Sequence, residues 1–264
     1  MQHSTGYIVG FALTVCLVCA LFVAGSAVGL KERQEANVLL DRQKKVLVVA
    51  GLMKEGEDLS REEIAALFES SIQPKVIDLQ TGEVDPTIDP TAFDQQAEAR
   101  NPETSIEAPE NASKIRRLPK HALVYDVVQD GELKALILPV EGYGLWGTLY
   151  GYIALAPDAR TILGITFYKH KETPGLGGEV DNPLWKAKWH GRLAFDERGN
   201  PVIGVKKGPA GPPDEDPYNV DGLSGATLTS RGVTRLVRFW LGENGFGPYL
   251  DRYREQAGVR SAAA

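Results

Sequence analysis

The longest uninterrupted apolar pattern lies at the start of the chain. Residues 7–30 contain no charged side chain. As a helix rising about 1.5 Å per residue, this stretch is roughly 36 Å long, enough to cross a hydrocarbon core of about 30 Å with some tilt. Residues 1–6 carry no Lys or Arg. The basic n-region of a cleaved signal peptide is therefore missing, and the stretch reads as a retained anchor. Beyond it, Val38, Leu39, Val46, Leu47 and Val49 stand among charged residues. That pattern predicts an amphipathic helix continuing out of the anchor and ended by Gly51 and Gly56. Ser60 with Glu63 forms a capping box ahead of Ile64, Ala65, Leu67 and Phe68, so a second, short helix is expected there. Residues 85–119 hold five Pro and few large apolar side chains, and read as an irregular surface excursion.

The pattern then changes to strands. Residues 122–128 and 132–138 flank Asp130-Gly131, a strong hairpin signal. In 147–156, Leu149, Ile153 and Leu155 share one parity, while Trp146, Tyr150 and Tyr152 lie near or on the other. Either both faces are buried or one carries aromatics toward a ligand. Residues 161–168 and 202–206 are further strands, and 209–217 is an acidic, Pro-rich loop. From Thr227, the apolar residues Val233, Leu236, Val237 and Trp240 fall at i, i+3, i+4 and i+7, the spacing of one helical face. Gly242 and Gly245 stop that helix. The expected class is α+β: one transmembrane helix, then a domain with a mainly antiparallel sheet and flanking helices. The expected division is 1–30 for tail and anchor, 31–119 for the amphipathic helix and irregular part, 120–258 for the main domain and 259–264 for a tail.

Composition narrows the function classes. The net charge of -6 over 264 residues, with no clustered basic face, argues against nucleic acid as a partner. Two Cys cannot form a four-thiolate metal site, and none of the four His has a metalloenzyme spacing, so no metal is expected. Cys16 and Cys19 both lie in the anchor and read as small apolar fillers. Gly25, Ser26, Ala27 and Gly29 would let another membrane helix approach closely. Lys31, Arg33, Arg42, Lys44 and Lys45 follow the anchor, which taken alone would keep the domain in the cytoplasm, although long domains translocate largely regardless of charge.

The chemistry concentrates in Asp221-Gly222-Leu223-Ser224-Gly225-Ala226-Thr227-Leu228-Thr229-Ser230. It is a small, hydroxyl-rich loop opening an amphipathic helix. Unpaired amides and the positive dipole end at a helix start suit a phosphate. Ser and Thr there serve equally well as helix caps, which need no ligand.

D-G-L-S-G-A-T resembles the flavin-attachment motif of the FMN-binding domain family. The resemblance implies FMN joined by a phosphoester to the Thr227 hydroxyl, with Asp221, Ser224, Gly225 and Ala226 recognised by a flavin transferase that uses FAD as donor. The run from His170 to Gly177 and the segment from Glu179 to Trp185 are similar to the NqrC family of the Na+-translocating NADH:quinone reductases, as is the whole chain. That family implies an electron relay in a bacterial inner membrane, a single lipid-spanning helix, a periplasmic FMN domain, and the pump's other subunits as partners. It also implies that Glu172, Thr173 and Leu176 lie beside the flavin. RnfG, the matching component of Rnf-type electron-transport complexes, shares the attachment motif and is the alternative; a non-redox membrane-anchored scaffold is another. On the residues themselves, Thr173-Pro174-Gly175 is a rigid turn, with the amides of Gly175, Gly177 and Gly178 open to a ring carbonyl. Residues 142–146 pack either on the ring or in the core. Lys206 and Lys207 either reach the phosphate or are surface charges. His170 and His190 read as structural.

Overall fold

The computed structural model describes residues 4–258; the predicted tail 259–264 lies outside them. The chain divides into two units, Met1–Arg42 and Gln43–Ala264. The predicted anchor and amphipathic helix form one continuous helix, α1 (Thr5–Val49). Among the described residues it is the one helix long and apolar enough to cross a membrane. The amphipathic face is shorter than its pattern predicts. Val38 and Leu39 are exposed, and only Val46, Leu47 and Val49 in the last turns are buried.

The second unit is built on a five-stranded sheet. After α2 (Arg61–Ser71), whose predicted capping box forms, come β1 (Ile72–Asp78), α3 (Gln95–Arg100), β2 (Ser105–Glu107) and β3 (Arg117–Pro119). The excursion over 85–119 is thus only partly irregular: it contains α3 and the β2–β3 pair. Next are β4 (His121–Gln129), β5 (Glu132–Tyr143), β6 (Thr148–Leu155) and β7 (Ile162–Lys169). The order is β1-β4-β5-β6-β7, antiparallel throughout. At the β4–β5 turn Asp130 and Gly131 both have positive φ (53° and 78°), which a type I′ hairpin requires. Pro74 interrupts β1, and β1 lies at the sheet edge, where a missing N–H is tolerated.

The chain then passes through α4 (Pro183–Lys186), β8 (Gly204–Val205) and β9 (Asn219–Val220), a short parallel pair, to α5 (Thr227–Leu241) and α6 (Gly247–Gln256). Val233, Leu236, Val237 and Trp240 of α5 are fully buried against Leu136, Leu138, Val140, Leu149 and Ile153 of the sheet. Two glycines set how closely helix and sheet approach. A Cβ on Gly142 would lie 2.5 Å from Leu236 Cβ, and one on Gly232 would lie 2.7 Å from the Tyr143 carbonyl oxygen. The Trp240 indole donates to the Glu141 carbonyl at 2.7 Å. The other side of β6 is covered too. Tyr152 packs on Tyr125 and Tyr168, with centroids 6.0 and 5.2 Å apart, and Phe68 of α2 meets Tyr125 at 6.2 Å. Tyr152 is thus buried on protein, whereas Tyr125, Tyr150 and Tyr168 on the same face stay half-buried.

Candidate functional site

The loop before α5 ends in a helix start that no side chain caps. Ala226 stands at the N-cap with φ -127° and ψ 50° and offers no side-chain acceptor, so the hydroxyls of the loop are not used for capping. They separate into two pairs. Thr229 is fully buried and donates to Glu172 Oε2 at 2.5 Å. Ser230 is buried and accepts from the Leu223 amide at 3.1 Å. Ser224 and Thr227 face outward and are exposed. Periodicity produces this sorting: Thr229 and Ser230 precede Val233 by four and three positions and share its inward face.

Asp221 organises the wall opposite. Its carboxylate pairs with Lys188 and accepts from the Ala210 amide at 3.0 Å. Its carbonyl accepts from the Trp185 indole at 2.8 Å. Burial pushes the Asp221 carboxyl up, but Lys188 and the Ala210 amide outweigh it and hold the group below the usual carboxylate range. The Gly222 amide donates to Gly208 at 2.9 Å, and a Cβ on Gly222 would clash with the Lys206 carbonyl oxygen. Between this wall and the start of α5 is a cleft of about 670 Å³, lined by Lys207, Ser224, Thr227 and Arg231 among others.

The fold brings the 170–177 run against this loop. Glu172 is buried; its Oε1 accepts from the Leu145 and Trp146 amides at 2.9 and 3.0 Å, while Oε2 accepts from Thr229. One carboxylate thus ties the β5–β6 turn to α5. His170 Nδ1 accepts from the Glu172 amide at 3.1 Å, which leaves the proton on Nε2, 2.7 Å from Asp181 Oδ2. His190 Nδ1 donates to the Leu163 carbonyl at 3.0 Å. Both histidines are thus engaged in hydrogen bonds within the domain. Thr173-Pro174-Gly175-Leu176 is a turn with Gly175 at φ 74°. The Gly178 amide, expected to be open, donates to the Thr173 carbonyl at 2.9 Å. Leu176 reaches the 221–230 loop: a Cβ on Gly225 would lie 2.9 Å from Leu176 Cδ2. Around the loop, Leu145, Trp146, Leu176 and Leu228 remain exposed, Trp146 at 63%.

The Asn182 side chain caps α4, accepting from Leu184 at 2.9 Å and donating to Glu179 at 2.7 Å. That cap sets Trp185 in place to hold Asp221, so the 179–185 segment serves the loop from a distance. Sequence reasoning did not single out Arg231 for this cleft or Glu172 as a clip. The i, i+4 spacing of Thr227 and Arg231 was the available signal for the former; for the latter there was none, because its three donors are distant in sequence.

The fold and site define a class: an FMN-binding-domain protein preceded by one long apolar helix. The FMN-binding domain family matches residues 144–242. The chain is 48% identical to the NqrC subunit of the Na(+)-translocating NADH-quinone reductase of Pseudomonas aeruginosa over 96% of this chain and 98% of that one, and 45% identical to its Yersinia pestis counterpart over 97% and 96%. The crystal structure of Shewanella oneidensis NqrC superposes with a TM-score of 0.75 at 36% identity, covering 81% of this chain and 97% of that one. The chain belongs to the NqrC family of the Na(+)-translocating NADH-quinone reductases. It is a subunit of that oxidoreductase rather than of the Rnf-type alternative.

Proposed function

We propose that this subunit relays electrons within the sodium-pumping complex through FMN held covalently on Thr227, with its helix in the bacterial inner membrane as a single pass and its domain on the periplasmic side. One observation carries the reading: of the four hydroxyls in the 221–230 loop, Thr227 is the one at the attachment position of the motif, and it is exposed at an uncapped helix start.

The residues present suit the group. FMN supplies the capacity to pass one or two electrons, and the protein supplies placement. The free amides and dipole of α5 favour the phosphate. The exposed Leu145, Trp146, Leu176 and Leu228 offer an apolar rim for a flat ring system. Glu172 and Thr173 act through the backbone they hold, Glu172 by fixing Leu145 and Trp146 and Thr173 by closing the turn that carries Leu176. Asp221 is engaged by Lys188 and so shapes the wall without presenting a free charge. Ser224, Gly225 and Ala226 leave the approach to Thr227 unobstructed for a flavin transferase. NADH and quinone sites belong to partner subunits.

Full-length Thr227→Ala, co-expressed with a flavin transferase, is expected to lose all flavin fluorescence after denaturing electrophoresis, while wild type stays labelled. Undiminished fluorescence in Thr227→Ala would remove the assignment, and an unlabelled wild-type chain would leave the non-redox scaffold reading.

A further inference from the structure

Four cations stand around the attachment loop, and the structure divides them. Lys188 pairs with Asp221. Lys206 Nζ lies 3.2 Å from Asp216 Oδ2, and Asp216 also accepts from Asn219 at 2.6 Å. These two positive charges are already neutralised within the protein. Lys207 and Arg231 are exposed, line the cleft that holds Thr227, and have no carboxylate partner among the described residues. Arg231 stands four positions after Thr227 on α5, one turn along the same helix face. Lys207 lies in the facing wall, beside the Gly208 carbonyl that binds the Gly222 amide. A protein of net charge -6 leaves two positive charges unbalanced at the mouth of one cleft.

We propose that Lys207 and Arg231 bind the phosphoryl oxygens of the group esterified to Thr227, one from each wall of the cleft. This rests on the attachment reading above and goes beyond it by assigning the residues that hold the phosphate. The step they serve balances as a phosphoryl transfer. The Thr227 oxygen bonds to the phosphorus of the flavin half of a flavin dinucleotide, and the phosphorus–oxygen bond to the adenylate breaks. The adenylate leaves as a monophosphate, and the hydroxyl proton passes to solvent. The donor's diphosphate carries two negative charges, matched by two cations, and the diester left on the protein keeps one. An arginine is suited to two oxygens at once, and a lysine acts as a point charge.

Full-length chain made without transferase and purified in detergent is to be mixed with FAD, Mg²⁺ and transferase, and the fluorescent band followed in time. Lys207→Met and Arg231→Gln are each expected to slow initial labelling at least fivefold, the double variant at least 20-fold, with Lys206→Met within twofold of wild type. Protein labelled to completion gives a second readout: the ³¹P resonance of the attached phosphate should shift in Arg231→Gln and Lys207→Met but not in Lys206→Met. Equal slowing by all three lysine and arginine variants with unmoved resonances would mean that the charges serve transferase docking, which overturns the proposal. Wild-type labelling by the double variant would overturn it as well. Thr227→Ala run in parallel separates the two readings, because it reports on the attachment point alone.

Discussion

Glu172 shows how a single side chain joins two parts of the site that are distant in sequence. Its carboxylate is buried and takes three donors, so removing it strands the Leu145 and Trp146 amides and the Thr229 hydroxyl. Thr229 is the fully buried donor of the three, and leaving its hydroxyl stranded costs about 1–3 kcal/mol. Glu172→Ala is expected to lower unfolding stability by about 3 kcal/mol in urea titrations and to increase hydrogen exchange at Leu145 and Trp146. Gly144 belongs to the same arrangement, since a Cβ there would lie 2.5 Å from Glu172 Oε1. Glu141 presents a different case. Burial pushes its carboxyl up to about 7, opposed by Arg100. A folded-state value raised above the unfolded 4.5 means that stability from this group is full below about 4.5 and is lost as pH rises through about 7. The difference corresponds to about 3 kcal/mol. Glu141→Gln should flatten the decline in stability between pH 5 and 8 measured by thermal unfolding, and an unchanged slope would remove Glu141 as its origin.

Among the elements, α5 has the most complete sequence signature and the most demanding packing. Its apolar stripe and its stop at Gly242 follow from spacing alone. Its closeness to the β5–β6 turn does not. Gly232 permits that approach, with the Gly144 Cα only 2.9 Å from where a Cβ would stand. Gly232→Ala should push the helix from the sheet and cost about 2 kcal/mol, an overpacking penalty read as a fall in melting temperature. Other elements left weaker traces. In β1, Pro74 and Lys75 break the period-two pattern, and its pairing with β4 compensates. For α6 no element was expected, yet Phe246, Tyr249 and Leu250 are buried at i, i+3 and i+4, a signal that could have revealed it. The hairpin at Asp130-Gly131 was legible because its turn type demands positive φ at both positions, which few residue pairs satisfy.

For the molecule as a whole, the boundary between units falls inside α1. Lys45 belongs to the second unit and lies 3.7 Å from Glu55 Oε1, which also holds the buried Lys186 at 2.5 Å. Val46, Leu47 and Val49 are buried beside it, Val49 within 3.5 Å of where a Cβ on Gly164 of β7 would lie. Removing residues 1–42 should therefore give a chain that stays in solution without detergent and unfolds cooperatively. Removing residues 1–50 should give one that melts far lower or aggregates, because three apolar side chains worth about 1.5–3 kcal/mol each are lost. Circular dichroism melts of the two truncations check this directly.

The sequence by itself determined the long apolar first helix, the antiparallel α+β domain, the amphipathic helix from Thr227 and the D-G-L-S-G-A-T motif, because these depend on periodicities and turn residues that act over a few neighbours. Tertiary structure decided which hydroxyls of the loop are spent inside and which face out, which of four cations are already paired, and that Glu172 is a clip between a turn and a helix. Those outcomes depend on groups tens of residues apart meeting within hydrogen-bond reach, and no local pattern encodes which partner each will find.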